Sequence, residues 1–334
     1  MSLPAFEVIR PESLGAALQA IGRFGSGIQM VAGGTDLIPS MKQGLFSPRA
    51  LLDLKSIRTL DFIHPEAGSL TIGALTRISS IAESQLIREQ YPVLHQAAKT
   101  VASPLLRNMG TLGGNLCLDT RCLYYNQSGF WRDSLGYCLK KDGSVCHVAP
   151  GGHFCWAAFS GDLAPALLTL DARIRLVSPT GERTIPISEF YLNDGIARTV
   201  RRPDEILISV HIPASSAGMN GVYKKLRIRQ SIDYPLAGVA AVMKQDASGT
   251  CVKARIALTA VNPSPQLVKV AERLEGKRFD AALVEEVAYQ AVRTAKPLRT
   301  SASTMEYRRH MVQVFVRRAL RELWASHGGA SVAS

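Results

Sequence analysis

The spacing of apolar positions divides the chain into three units in which strand-like and helix-like segments alternate. In the first, residues 12–24 (ESLGAALQAIGRF) repeat apolar side chains at helical spacing, 28–31 form a strand-like run, and 50–54 (ALLDL) read as a second strand. A glycine turn at Gly33 and Gly34 precedes Thr35 and Asp36, which suit the cap of a helix over 37–42. The second unit begins near Ile57, with a strand over 69–74 and helices over 77–88 and 92–101. It continues with an apolar run over 162–171, an alternating strand over 172–177 and a strong strand over 205–212. Residues 215–220 read as a linker. The third unit has strands near 222–228, 236–244 and 251–260, then helices over 279–294 and 305–325. The last helix places Met305, His310, Met311, Val314, Phe315 and Leu320 on one stripe with arginines opposite, the pattern of a packed surface helix. This order predicts α+β domains and not a single doubly wound sheet.

Three stretches fall outside that periodicity. Two are glycine turns, around Gly33–Gly34 and in the run NMGTLGGN at 108–115. Glycine lets the backbone turn sharply and approach a ligand, and the amides such a turn exposes suit a phosphate. Neither run is a GxGxxG or P-loop sequence, so a Rossmann or nucleotide-hydrolase reading has no support. Asp162, in GDLAP, suits a helix N-cap and equally a ribose or ribityl hydroxyl. No GxSxG or HExxH occurs, which favours cofactor chemistry over hydrolysis.

The third stretch holds four of the six cysteines, Cys122, Cys138, Cys146 and Cys155, separated by 15, 7 and 8 residues among glycines and a proline. It reads as loop. No secretory signal is apparent at the N-terminus, which points to the cytoplasm, and there such thiols suggest a metal site before a disulfide framework. CxxC knuckles typical of structural zinc are missing; an iron–sulfur cluster, zinc or unliganded thiols all stay open on spacing alone. His147 and His153 are further zinc candidates or loop surface, and Cys117 and Cys251 read as small core residues.

With 334 residues, 46% hydrophobic, the chain can bury a substantial core in two or three domains. No apolar run reaches bilayer-spanning length, so no membrane span is expected. The formal charge of +12 fits an acidic partner or anionic ligand; no nucleic-acid motif accompanies it.

Taken in order, AGGTDL (32–37), RNMGTLGGN (107–115), GDLAPALLTLDA (161–172), PDEILISVHIP (203–213), GVYKKLRIRQSIDYPLAGVA (221–240) and EYRRHMVQVFVRRAL (306–320) resemble the FAD-binding medium subunit of the xanthine dehydrogenase, or molybdenum hydroxylase, family. The resemblance spans nearly the whole chain. It implies a two-subdomain FAD-binding domain of the vanillyl-alcohol-oxidase (PCMH) type, followed by a C-terminal α+β domain of the CO dehydrogenase flavoprotein type. The implied divisions are 1–56, 57–216 and 217–330, with an insertion at about 119–159. Matched position by position, Met30, Val31, Ala32, Gly33, Gly34, Thr35, Asp36 and Leu37 would hold the FAD pyrophosphate. Thr111, Leu112, Gly113, Gly114 and Asn115 would reach the phosphates and adenosine side, with Val101 lining the pocket. Asp162 would bind a flavin-side hydroxyl, and Leu207 and Lys224 would lie near the isoalloxazine ring.

Most family members lack the cysteine window. Its segments CLDTRCLYYNQSGFWRD, GYCLKKDG, VCHVAPGG and FC resemble the 4-hydroxybenzoyl-CoA reductase branch, which implies a [4Fe–4S] cluster on Cys122, Cys138, Cys146 and Cys155. The implied protein is an oxidoreductase subunit that passes electrons between an external carrier, the cluster, FAD and a [2Fe–2S] partner. The substrate would sit on a large molybdopterin subunit, in a dimer of heterotrimers. That branch carries out a reductive dehydroxylation in aromatic degradation, with reduced ferredoxin as donor. A flavin subunit of an aldehyde or N-heterocycle oxidoreductase is the alternative, and a zinc-stabilised scaffold is the alternative of another class. No nicotinamide motif is identifiable.

Overall fold

The computed structural model describes residues 3–300 and 302–326, so the outermost ends of the first and last sequence divisions lie outside the described residues. In the first unit β1 (Glu7–Ile9), β2 (Ile28–Val31) and β3 (Ala50–Asp53) form a parallel sheet in the order β1-β3-β2. Helix α1 (Leu14–Phe24) buries Ala17 and Ile21 against this sheet, and α2 (Leu37–Lys42) follows the first glycine turn. The β1 strand lies outside the predicted set; with three residues it is too short to show alternation.

The second unit has β4 (Ile63–Glu66), β5 (Ser69–Gly73), β6 (Arg173–Ser178), β7 (Gly181–Pro186) and β8 (Ile206–Ile212), all paired antiparallel in the order β4-β5-β8-β6-β7. Its helices are α3 (Ile78–Glu83), α4 (Gln85–Gln90), α5 (Pro92–Thr100), α6 (Pro104–Met109), α7 (Leu112–Leu116), α8 (Gly129–Ser134), α9 (Leu163–Thr169) and α10 (Ile187–Phe190). The single helix expected over 77–88 is two, because Ser84 turns to extended backbone and its hydroxyl accepts from Ile87 N, capping α4. Part of the second glycine run is helical as α7, and the cysteine window, read as loop throughout, contains α8.

The third unit packs β9 (Asn220–Leu226), β10 (Ala237–Gln245), β11 (Cys251–Thr259) and β12 (Gln266–Leu267) as an antiparallel sheet in the order β12-β11-β10-β9. One face is covered by α11 (Ala281–Ala291) and α12 (Met305–Ala325). The other lies on α5 and α9, so these helices are buried between two sheets and Tyr223, Ala240, Val242 and Ala257 join the second unit's core. That explains why 162–171 is apolar nearly throughout: every residue of α9 is buried.

The buried residues of α12 are Arg308, Val312, Val314, Phe315, Val316, Ala319, Leu320, Leu323 and Trp324, which include Val314, Phe315 and Leu320 of the expected stripe, whereas its Met305 and His310 are exposed. Arg308 is the surprise. Its guanidinium donates to the carbonyls of Leu236 at 2.7 Å, Ala260 at 2.5 Å and Leu298, and burial pushes its pKa down to about 10. It thus stitches α12 to the loops at the sheet's end without a carboxylate. Arg308→Met strands three carbonyls and is expected to cost about 3 kcal/mol, seen as a lower urea midpoint with an unchanged slope. A midpoint equal to the parent's would dismiss the role.

Candidate functional site

The three units meet at a cleft of about 500 Å³, a size that suits a small organic ligand. Its lining includes Met30, Val31, Ala32, Gly33, Gly34, Thr35, Asp36 and Leu37 from the first glycine turn, and Val101, Thr111, Gly113, Gly114 and Asn115 from the second unit. Asp162 and Leu207 also line it.

The two glycine turns play different physical parts. Among the described residues, the backbone amides of Gly33, Gly34, Thr35 and Asp36 donate to no protein acceptor. They are open donors on the cleft wall, the chemistry a pyrophosphate needs. The second run spends its amides internally: Leu112 N on Thr76 O, Gly113 N on Ala74 O, Asn115 N on Thr111 O and Gly114 N on the Thr111 hydroxyl. It is a rigid platform. Gly33 is required by close approach, since a Cβ there would lie 2.1 Å from the Met109 carbonyl oxygen. Gly34 adopts φ +70°, the left-handed region.

Leu112, in the sequence-derived set, is wholly buried beneath the platform and does not line the cleft. Lys224 does not line it either. Side chains alternate along β9, so Lys224 points to α12 and pairs with Glu322 at 2.5 Å, while Tyr223 and Lys225 point inward. Lys225 donates to Asp162 at 2.9 Å and Tyr223 to its other oxygen at 2.7 Å. The Asp162 side chain therefore does not cap α9; the Asn115 side chain does, accepting from Leu163 N at 3.1 Å. Burial raises the Asp162 carboxyl above the ordinary range, against the pull of Lys225 and Tyr223.

Several lining residues carry no motif. Arg121, Arg198 and Arg201 put three guanidinium groups on the wall, and Cys117, expected in the core, also faces it. Arg121 pairs with Asp36 and stacks 4.2 Å from the centre of the Tyr234 ring, tying the first turn, the insert and the third unit together. Arg198 stands 3.5 Å from Asp119. Arg201 donates to the carbonyls of Arg202 and Glu205 and has no carboxylate partner among the described residues. The run ARTVRRPDE at 197–205 was the available signal, since it sets arginines beside a strand that lines the cleft. At the rim Ile232 holds φ +69°, costly for a β-branched residue, and donates to the carbonyl of Ala102 at 2.9 Å.

The insert leaves and returns at one point, where Arg121 and Ala158 exchange backbone hydrogen bonds of 2.8 Å. Arg132, buried in α8, anchors it to the first unit by donating to the carbonyls of Gln43 at 3.1 Å and Gly44 at 3.3 Å. Cys122, Cys138, Cys146 and Cys155 all line one small cavity with Tyr124, Tyr125, Lys140 and His147. Cys138, Cys146 and Cys155 are buried, and all four thiols are free. Cys138 sits in a tight turn whose carbonyl accepts from Lys141 N and Gly143 N. Cys155 Sγ accepts from Ala157 N at 3.4 Å, and burial raises its thiol to about 11. Burial raises Cys122 too. The His147 ring faces the Tyr137 carbonyl at 2.5 Å, and His153 is exposed and outside the cavity lining. All four cysteines border this cavity, a thiol set whose chemistry suits a soft, thiolate-bound centre, while among the described residues no three Cys, His, Asp or Glu side chains are drawn together tightly enough to hold a single metal ion.

Residues 4–215 match the family described as the FAD binding domain in molybdopterin dehydrogenase, and 221–323 match the CO dehydrogenase flavoprotein C-terminal domain. The chain is 30% identical over 324 residues to the carbon monoxide dehydrogenase medium chain of Hydrogenophaga pseudoflava, spanning 96% of this chain and 98% of that one. It is 33% identical over 255 residues to the aldehyde oxidoreductase FAD-binding subunit PaoB of Escherichia coli, spanning 74% and 78%. The solved carbon monoxide dehydrogenase of Hydrogenophaga pseudoflava superposes with a TM-score of 0.80 at 30% identity over 97% of this chain and 99% of that one.

Proposed function

The chain belongs to the family of FAD-binding subunits of molybdopterin dehydrogenases, and from that premise we propose that it relays electrons between FAD in the cleft and a [4Fe–4S] cluster on Cys122, Cys138, Cys146 and Cys155. The observation that supports the reading is that all four insert cysteines border one cavity, next to the cleft that the FAD-binding unit lines. When bound, the flavin exchanges electrons singly or in pairs and the cluster singly, chemistry that no side chain supplies. The protein's part is to hold, orient and shield. The open amides of Gly33, Gly34, Thr35 and Asp36 face the pyrophosphate, and Arg201 adds an unpaired positive charge. Leu54, Leu75, Ile206 and Leu207 give apolar walls that exclude water. Asp162, held by Lys225 and Tyr223, is the buried acidic group of the cleft lining and the candidate for a flavin-side hydroxyl.

The partners in this reading are a large molybdopterin subunit, which holds the substrate, and a small [2Fe–2S] subunit, assembled as a dimer of heterotrimers in the cytoplasm. The insert supports the 4-hydroxybenzoyl-CoA reductase branch, with reduced ferredoxin as donor and reductive removal of the phenolic hydroxyl as the overall reaction. The formal charge of +12 favours an acidic carrier. The match to an aldehyde oxidoreductase subunit supports a second reading, in which electrons flow outward. A scaffold that binds zinc and no flavin does not accord with the family match.

The test is the native complex. Co-purification of a large molybdopterin subunit, one FAD per chain, iron in excess of that held by the small subunit, and reduction of the flavin by reduced ferredoxin are expected. A complex whose flavin chain carries stoichiometric zinc and no iron would sink the cluster. Turnover of an aldehyde and none of 4-hydroxybenzoyl-CoA would move the chain to the second reading.

A further inference from the structure

A buried ion pair stands between the cleft and the cysteine cavity. The Lys140 ammonium donates to Asp119 Oδ1 at 2.8 Å and to the Thr120 carbonyl at 2.9 Å, and lies 4.3 Å from the centre of the Tyr125 ring. The two side chains are 7% and 10% exposed. Asp119 Oδ2 accepts from the Tyr125 hydroxyl at 2.9 Å, and Arg198 Nε approaches Asp119 Oδ1 to 3.5 Å. Asp119 lines the cleft and Lys140 lines the cysteine cavity. Among the described residues Lys140 is the one lysine or arginine in that lining.

A buried ion pair is weak evidence for stability, because an apolar replacement of the same volume often serves as well. Its position suggests another use. Four thiolates make an anionic site, and adding an electron makes it more so. The pair is neutral overall, but its Lys140 end borders the cysteine cavity and its Asp119 end borders the cleft, so it presents its positive end to the thiols; shielded from water, that orientation favours the more negative form.

We propose that Lys140, held in place by Asp119, is a positioning residue for electron transfer: its fixed positive charge raises the reduction potential of the cluster carried by Cys122, Cys138, Cys146 and Cys155. The inference rests on the reading of those thiols as cluster ligands.

Lys140→Met alone would leave the buried Asp119 carboxylate with only the longer contact to Arg198, so the decisive variant is the double Asp119→Asn/Lys140→Met, compared with Lys140→Arg in the whole complex. Iron and FAD per chain are measured first, then the cluster's midpoint potential by redox titration followed by electron paramagnetic resonance. The double variant is expected to keep both cofactors and titrate at a more negative potential, and Lys140→Arg to stay near the parent. An iron-loaded double variant at the parental potential overturns the inference. Loss of iron from the double variant overturns it too, leaving Lys140 a strut for the loop. A parent protein whose chain holds no iron overturns the cluster reading itself, which the first measurement distinguishes from the other two outcomes.

Discussion

Gly33→Leu is expected to give a folded protein that purifies without its flavin. The Cβ of any residue at this position would come within 2.1 Å of the Met109 carbonyl oxygen and 2.7 Å of its carbon, both backbone atoms that no rotamer can move aside. The first turn must then retreat from α6, taking the open amides of Gly33, Gly34, Thr35 and Asp36 with it. Displacement of this kind costs about 1–3 kcal/mol, or roughly 5- to 150-fold in FAD affinity. The site is half-exposed and Gly33 belongs to none of the three cores, so the circular dichroism spectrum should not change. FAD titration of the flavin-free protein, followed by fluorescence quenching, reads the affinity. Parental affinity in Gly33→Leu would refute the role of this turn. Gly114→Ala makes a useful contrast, because a Cβ there meets nothing nearer than the Thr111 hydroxyl at 3.0 Å, a side-chain atom that need give by only a few tenths of an ångström.

How much of this was legible beforehand depended on whether a feature is local. Helices α5 and α12 show in their periodicity, since each buries one face, and strands β10 and β11 show as apolar runs, since helices cover both faces of their sheet. The α+β class follows from their order, and the family match and superposition accord with it. The first glycine turn shows in composition, because its amides are open for the same reason that its residues are small. The direction of Lys224 does not. One residue of register on β9 decides whether Lys224 or Lys225 reaches Asp162, and register is set by pairing with β10, more than ten residues away in sequence. Asn115 as the cap of α9 is likewise a contact across 48 residues. Arg308 contradicts its own pattern: a charge on a buried stripe is read as polar surface until the three carbonyls it satisfies are brought to it by the fold.

Cys138→Ser should remove the iron and leave the flavin. Serine keeps the backbone turn, in which Cys138 O accepts from Lys141 N and Gly143 N, and Gly143 stays because a Cβ there would strike Cys138 N at 2.7 Å. What changes is one donor atom, a soft thiolate for a hard hydroxyl that does not ionise near neutral pH. Loss of about four irons per chain is expected, with the broad iron–sulfur absorption gone and the flavin bands intact. The flavin survives because the insert is joined to the FAD-binding unit at the Arg121–Ala158 neck, and Cys138 takes no part in the cleft lining. Reduction of the flavin by reduced ferredoxin should slow, while dithionite, which reaches flavin directly, should still reduce it. Cys117→Ser supplies the opposite control. Cys117 lines the cleft and not the cysteine cavity, so its loss should leave the iron in place. Unchanged iron in Cys138→Ser would show that the four thiols do not act as one site. Loss of iron in Cys117→Ser as well would show that the insert and the cleft are a single cooperative unit, and not an added station on a flavin domain.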